Sequence, residues 1–413
     1  MSFFAGISII ITLSALLGYV NHRWLKLPTT IGVMVLSLVI GISLKGVDIF
    51  YPEFIAPIKK NLTAFDFSSF LLDTILCFML FAGSLHVNLA DLKKTWTTVV
   101  SYATIGVLIS TLLIGFFSKW VLGIFGFEVD FIVCLLFGAL ISPTDPIAVI
   151  GILSNYNIPK KLKVEIVGES LFNDGVGVVV FTVIYSVMQL GVASFTFTNL
   201  FHAFALEVFG GLTIGLLVGY VGYLLIKSID SYQNEVLISL AIVMGGYSLA
   251  NSIHASGPLA MVVAGLLIGS KSKQKLMSDI STDYLNKFWE LIDEICNTIL
   301  FVLIGLEIFL VSIKGSYLIL GAAFILLTLL VRFISLVPAY FIFNRKEKKK
   351  MLGLSILTWG GLRGGISIAL ALSLNGKVPY SDLFLVITFC IVLFSIVFQG
   401  LSIKWLLKKY ETD

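Results

Sequence analysis

Charge is what this sequence has least of. Asp, Glu, Lys and Arg make up 13% of its 413 residues, about half the roughly 25% of an ordinary soluble domain. With 58% of the chain apolar, a water-soluble globule is excluded. Cysteine is also sparse: Cys77, Cys134, Cys296 and Cys390 sit in apolar runs without paired spacing. That pattern excludes a disulfide framework or a cysteine zinc site and leaves them as small core residues. The N-terminal segment MSFFAGISIIITLSALLGYV has no basic stretch ahead of its apolar run, so it reads as a retained first span rather than a cleaved signal. No stretch between the apolar runs is long enough for a soluble domain, and the chain ends seven residues after the last run. No cytoplasmic regulatory tail is therefore expected.

What the chain has instead is apolar length. Its mean hydropathy is +1.02, and a helix crossing a bilayer needs about 20 mostly apolar residues. Thirteen spans are expected, near 3–21, 29–44, 67–86, 96–122, 130–153, 162–189, 201–226, 234–253, 257–270, 288–312, 315–343, 350–374 and 382–406. The expected fold class is an all-α polytopic membrane protein. The pI of about 8.7 and net charge of +4 do not argue for a nucleic-acid partner, because basic residues in membrane proteins are topology signals. Twenty of the 28 Lys and Arg fall in loops on one side, six fall on the other, and Arg332 and Arg363 lie within spans. With an odd number of spans, this bias predicts an N-terminus outside and a C-terminus in the cytoplasm. The RKEKKK run from Arg345 to Lys350 reads as a cytoplasmic anchor that also suits anionic membrane lipid.

A charge inside a bilayer costs at least about 2.5–3.5 kcal/mol, so the five mid-span charges are the candidate functional residues: Asp145, Glu169, Asp174, Arg332 and Arg363. Asp145 lies in ISPTDPIAVIG. Pro143 and Pro146 lack the amides that would bond the carbonyls of Ala139 and Ser142. Two prolines flanking Thr144 and Asp145 predict a helix broken in mid-span, where one alone would read as a kink with a capping Asp. Freed carbonyls and half-helix ends at such a break are natural ion ligands.

The next span, GESLFNDGVGVVVF, gathers Glu169, Ser170, Asn173 and Asp174. Ser170 and Asp174 share one helical face, and Glu169 and Asn173 the adjacent one, which offers carboxylate and hydroxyl oxygens to a hard cation. Acids that merely hold helices together are the plainer reading, and it suits Glu169 better than both. Arg332, in ILLTLLVRFISLVPAY, needs a buried carboxylate, and Glu169 is the expected partner. Arg363 is flanked by Gly360, Gly361, Gly364 and Gly365, which fits either a second broken helix or close glycine packing. Interruptions in spans five and twelve stand seven apart, the relation expected of inverted repeats around span seven.

Together, ISPTDPIAV, GESLFNDGVGVVVF, LVRFISLVPAY and TWGGLRGGISIALAL resemble the sodium/proton exchanger branch of the monovalent cation:proton antiporters, prokaryotic members especially, over nearly the whole chain. The resemblance implies about 13 transmembrane helices with inverted repeats and two crossed discontinuous helices, in a homodimer of the cell (inner) membrane. It places dimerisation or scaffold helices at 1–86 and 234–312, ion-transporting core helices at 96–189 and 315–406, and a linker helix at 201–226. Na+ or Li+ would be exchanged for H+ by an elevator-like motion, for pH and sodium homeostasis, without a cofactor and without enzymatic chemistry. Asp174 is then the carboxylate that takes cation and proton in turn, with Ser170, Thr144 and Asp145 helping to ligate the cation. Glu169 and Arg332 match the family's buried ion pair. Asn173 matches the Asn of the Asn-Asp pair of electroneutral members, which implies one proton per sodium ion. Asp145 and Arg363 would balance half-helix dipoles at the crossing. One position departs from the pattern: many relatives have an acid at the end of the third span, where this sequence has Ala82. Asp73, nine residues earlier, is too far away to stand in, which puts a second ligating carboxylate in doubt, and with it affinity and ion choice.

Other polar residues carry less. His254, in NSIHASGPLAM, reads as a packing or interfacial histidine rather than a pH sensor, since the carboxylate site already explains pH dependence. Glu290, Asp293, Glu294 and Asn297 line a cytoplasmic funnel or solvate a helix end, and His22, His86, His202, Glu207 and Glu307 receive no role. An intramembrane hydrolase would use Asp145 with Asp174, or Ser170 as nucleophile, but Phe172 breaks G-x-S-x-G and no intramembrane histidine is placed for a triad. A passive channel would need a continuous pore. Exchange of K+ for H+ on the same fold is the nearer rival, because oxygen ligands alone do not separate Na+, Li+ and K+.

Overall fold

The computed structural model describes residues 3–63, 66–145, 156, 158–191, 197–271, 279–311, 314–345 and 349–412. Among these the chain is built from α1 (Phe3–Val20), α2 (Thr29–Phe50), α3 (Pro52–Thr63), α4 (Phe67–His86), α5 (Leu89–Ile124), α6 (Phe131–Ile141), α7 (Lys160–Leu190) and α8 (Phe197–Lys227). There follow α9 (Tyr232–Ser252), α10 (Gly257–Lys271), α11 (Asp279–Leu310), α12 (Gly315–Phe343), α13 (Lys350–Gly360), α14 (Gly365–Ser373) and α15 (Ser381–Tyr410). Nine of the described helices are long and apolar enough to cross a membrane, and the chain is a multi-pass helical membrane protein.

Every expected span meets a helix, and the exceptions to full length have local causes. Spans five and twelve are interrupted. The part of span five beyond Asp145, through residue 155, lies outside the described residues. In α11 the acids Asp283, Glu290, Asp293 and Glu294 make the first half amphipathic. Helix α3 is no span: Pro57, Lys59 and Lys60 interrupt its apolar residues, and among its described side chains Ile55 alone is buried. Residue His254 sits exposed in the corner between α9 and α10 with a left-handed backbone, φ 57°, and so faces the surface rather than a span.

Aromatic packing sets the depth of the elements that carry the candidate residues. Phe137 of α6 lies 5.0 Å from Phe384 of α15 and 5.4 Å from Phe324 of α12, all three rings buried. In a bilayer, where lipid is as apolar as the core, it is the close fit of these rings rather than escape from water that pins the all-apolar α6 between its neighbours. A second cluster centres on Trp289 of α11, which is fully buried, packs on Phe81 of α4 at 4.6 Å, and donates its indole N–H to Ser239 Oγ of α9 at 3.0 Å. Farther along α11, Ser37 of α2 donates to the carbonyl of Phe301 at 2.9 Å. Orientation of α11 about its own axis is thereby fixed on two sides.

Candidate functional site

Helix α6 ends at Ile141, Ser142 caps it with helical backbone angles, and Pro143 and Thr144 leave the helical path, where Pro143 has no amide to continue the ladder. Helix α13 ends at Gly360 and α14 begins at Gly365. The two interruptions meet: the amide of Asp145 donates to the carbonyl of Leu362 at 2.7 Å, forming an isolated antiparallel bridge. Approach this close depends on Gly364, where an added Cβ would fall 2.8 Å from Cγ of Asp145, well inside contact distance. Glycine's missing Cβ also lets Arg332 reach past Gly361, where a Cβ would lie 2.6 Å from its Nε.

Arg363 turns back across the junction. Its Nη1 donates to the carbonyls of Ser142 and Pro143, the latter at 3.0 Å, so its cation sits on the carbonyl end of α6, where the helix dipole is negative. Expected balancing of the half-helix ends by Arg363 therefore has a concrete geometry. On the other side Asp145 lies against the start of α14.

Helix α7 passes beside the junction and supplies a polar stripe. The Asn173 amide is the hub: its Oδ1 accepts from the backbone amide of Thr144 at 3.2 Å, while its Nδ2 donates to Thr144 Oγ1 at 2.7 Å and to Glu169 Oε1 at 3.4 Å. Ser170 Oγ lies 3.1 Å from Thr144 Oγ1, so that hydroxyl is engaged with α6's end rather than with Asp174. Arg332 of α12 meets Glu169 head-on, Nη1 with Oε1 and Nη2 with Oε2, the latter pair at 2.7 Å. Both side chains are buried. Two parallel charge-assisted bonds of this kind are the strong form of an ion pair.

Asp174 is different. Only 6% of it is exposed, yet among the described residues it has neither a hydrogen bond nor an ion pair, and its electrostatic neighbours are the acids Asp145 and Glu169. It faces a cavity of about 80 Å³ shared with Asp145, Asp293, Leu76, Leu171 and Leu300, room for several waters. Thr144, Asp145, Ser170, Asn173 and Asp174 are thus brought together at the junction, with Glu169, Arg332 and Arg363 around it.

Two participants escaped the sequence reading. The turn Ser395–Gln399 in α15 is a π turn, the kind of helix irregularity often found at functional sites. Within it, Ser395 Oγ accepts from the backbone amide of Arg363 at 2.8 Å, and Gln399 Nε2 donates to the carbonyl of Trp359 at 3.1 Å. These are the main-chain groups that the interruption of span twelve leaves without helical partners. A lone Gln amid the apolar FSIVFQG is the signal that would find it. Asp293, which the sequence leaves between lining a cytoplasmic funnel and solvating a helix end, lines the cavity with Asp174.

Helix ends and carboxylates that meet inside the membrane mark this as a protein built to handle an ion there. The family model described as sodium/hydrogen exchanger, transmembrane, matches residues 10–409, and the chain belongs to that family. The Na(+)/H(+) antiporter NhaP of Pseudomonas aeruginosa is 47% identical over 406 residues, covering 97% of this chain and 95% of that protein. The Na(+)/H(+) antiporter NhaH of Halobacillus dabanensis is 32% identical over 395 residues, covering 94% and 93%. Among solved structures, the sodium proton antiporter MjNhaP1 of Methanocaldococcus jannaschii shares the fold, with a TM-score of 0.75 over 100% of this chain and 99% of that one at 23% identity.

Proposed function

We propose that this chain is a secondary active antiporter that exchanges Na+ for H+ across the cell membrane. One observation carries the reading: Asp174 is a buried carboxylate, unpartnered among the described residues, on a cavity with room for several waters beside two crossed helix interruptions. A bare carboxylate in that place is costly. A proton or a cation neutralises it, the two compete for one position, and the empty charged site does not cross an apolar barrier. Competition of this sort is sufficient for obligatory exchange. Asp174 takes each ion in turn, with Asp145 and the oxygens of Thr144 and Ser170 as further cation ligands.

Asn173, in place of a second acid, leaves one titrating carboxylate on this part of α7, which supports electroneutral exchange of one proton per cation. Helices within 96–189 and 315–406 form the ion-carrying core, and those within 1–86 and 234–312 form the scaffold of a homodimer, joined by the linker 201–226. The core moves against the scaffold as an elevator. The bias of 20 basic residues to one side supports a cytoplasmic C-terminus in an inner membrane. Li+ is accepted with Na+, while K+ is the competing substrate.

Acid-loaded proteoliposomes with a lumenal pH dye, pulsed with Na+, Li+ or K+ with and without a clamped voltage, test coupling, selectivity and electroneutrality together. Asp174→Asn is expected to abolish sodium-driven proton efflux while the protein remains folded and monodisperse. Appreciable flux in that variant overturns the assignment.

A further inference from the structure

The cavity at Asp174 has two walls of different character. Asp145 and Asp174 stand on one side, while α4 contributes Leu76, Met79, Leu80 and Gly83, none able to hold a cation by its side chain. Ala82, buried on the same helix, adds no carboxylate either. The acid that does face the cavity from the α4–α11 side is Asp293. Its position is not incidental to the packing. Trp289, four residues earlier on the same face of α11, is locked by Phe81 and Ser239, and Leu300, seven residues on, lines the same cavity. This azimuth turns Asp293 away from lipid.

A second observation comes from Asn297, one turn beyond Asp293. It is buried, its Nδ2 donates to the carbonyl of Asp293 at 2.8 Å, and its Oδ1 has no hydrogen-bond donor. A buried acceptor without a donor is costly, and a cation next to it removes that cost. Asp174, buried and unpartnered, lines the same cavity as Asp293, one turn from Asn297.

We propose that Asp293, with Asn297 Oδ1 behind it, is a scaffold-side position for a monovalent cation, which hands the ion between the cytoplasmic solution and Asp174. The inference rests on the antiport reading above and adds a second carboxylate to it, supplied by α11 where α4 has Ala82. Asp293 touches the transported ion but is not the group that exchanges it for a proton. Its loss therefore affects the sodium concentration needed for transport and leaves turnover at saturation standing.

The test compares wild type, Asp293→Asn, Asp293→Glu and Asn297→Leu in proteoliposomes over a sodium titration. A carboxylate within a few ångströms of a partly hydrated cation has a Coulomb attraction large enough that its removal raises the apparent KM for Na+ about tenfold. The maximal rate of D293N stays within about twofold of wild type, the pattern of lost binding rather than lost turnover. D293E, which keeps the charge, restores the wild-type KM, and N297L raises it in the same direction. Should D293N fail to fold, N297L and D293E carry the test: an N297L variant with the wild-type KM overturns the proposal. An unchanged KM in folded D293N, or a loss confined to the maximal rate, overturns it as well. A wild type that shows no sodium-driven proton flux refutes the antiport reading itself, so the two failures are distinct.

Discussion

Removing one member of the Glu169–Arg332 pair is expected to cost far more than removing both. Glu169 and Arg332 are 1% and 5% exposed, and the guanidinium has no other acid within ion-pair distance among the described residues. Its remaining bond is a long one, Nη2 to the carbonyl of Leu357 at 3.4 Å. Glu169→Gln leaves a cation that cannot neutralise itself, at a cost of about 3–5 kcal/mol. Arg332→Met leaves a carboxylate with the Asn173 amide at 3.4 Å, and since a lone carboxylate can still be neutralised by a proton, its loss falls at or below the lower end of that range, about 3 kcal/mol. The double variant places no charge in the pocket and is expected to lose only about 1–2 kcal/mol. The coupling between the positions is therefore about 4–7 kcal/mol. At roughly 1–2 °C per kcal/mol, extrapolating the size trend of soluble domains, E169Q loses about 3–10 °C in detergent melts and the double variant about 1–4 °C. Single losses that simply add in the double variant refute the account of Glu169 and Arg332 as one neutralised unit.

Gly364→Ala puts a Cβ against Cγ of Asp145 and is expected to cost about 1–3 kcal/mol, as overpacking does, and to lower the transport rate at least tenfold. Gly123→Ala, in an open position of α5, is the control and changes neither melting nor flux. Asp66 caps α4: Ser69 donates its amide to Oδ1 at 3.0 Å and its hydroxyl to Oδ2 at 2.7 Å. These bonds, the amide first, hold the Asp66 carboxyl below its ordinary range. Because the folded state favours the charged form, the cap's contribution is complete at neutral pH and drains away as pH falls through the ordinary carboxylate range to the lower folded value. Asp66→Ala should lose about 1 kcal/mol at neutral pH, and its melting temperature should converge on that of wild type in acid. A gap that stays constant with pH refutes the cap.

Much of the junction was legible because membrane sequences punish irregularity. A proline pair, four glycines and five charges have no cheap place in a bilayer, so their positions mark the interruption of span five, leave span twelve between a break and close glycine packing, and pair Glu169 with Arg332. Bonds that depend on a neighbouring helix were not legible. Ser170 faces Asp174 on the helical wheel, yet its hydroxyl is taken by Thr144 across the junction. Ser395 and Gln399 look like stray polar residues in α15 until the unwound stretch 361–364 lies beside them. Asp293 fits by pattern either a cytoplasmic funnel or a solvated helix end, and it is the orientation imposed by Trp289 that turns it to the cavity. Helix α2 runs to Phe50, beyond the expected end at 44, because its late charges find partners: Lys45 donates to the carbonyl of Val311, and Asp48 meets Lys59 at 3.2 Å.

The bridge between Asp145 and Leu362 has a mechanical meaning. Three neighbours stitch the two interruptions to one another and to themselves: α7 through Asn173, α15 through Ser395 and Gln399, and Arg363 across the gap. Opening that cross would expose several buried main-chain groups at once, each costing roughly 1–3 kcal/mol, so the cross behaves as a hard floor. Facing it are Leu76, Met79, Leu80 and Leu300, side chains that can slide without a hydrogen bond to break. An ion seated on the floor is not squeezed out by local loosening. In the elevator motion proposed above it leaves when the apolar wall slips past, and substitutions that roughen that wall should slow traffic while leaving the seat intact.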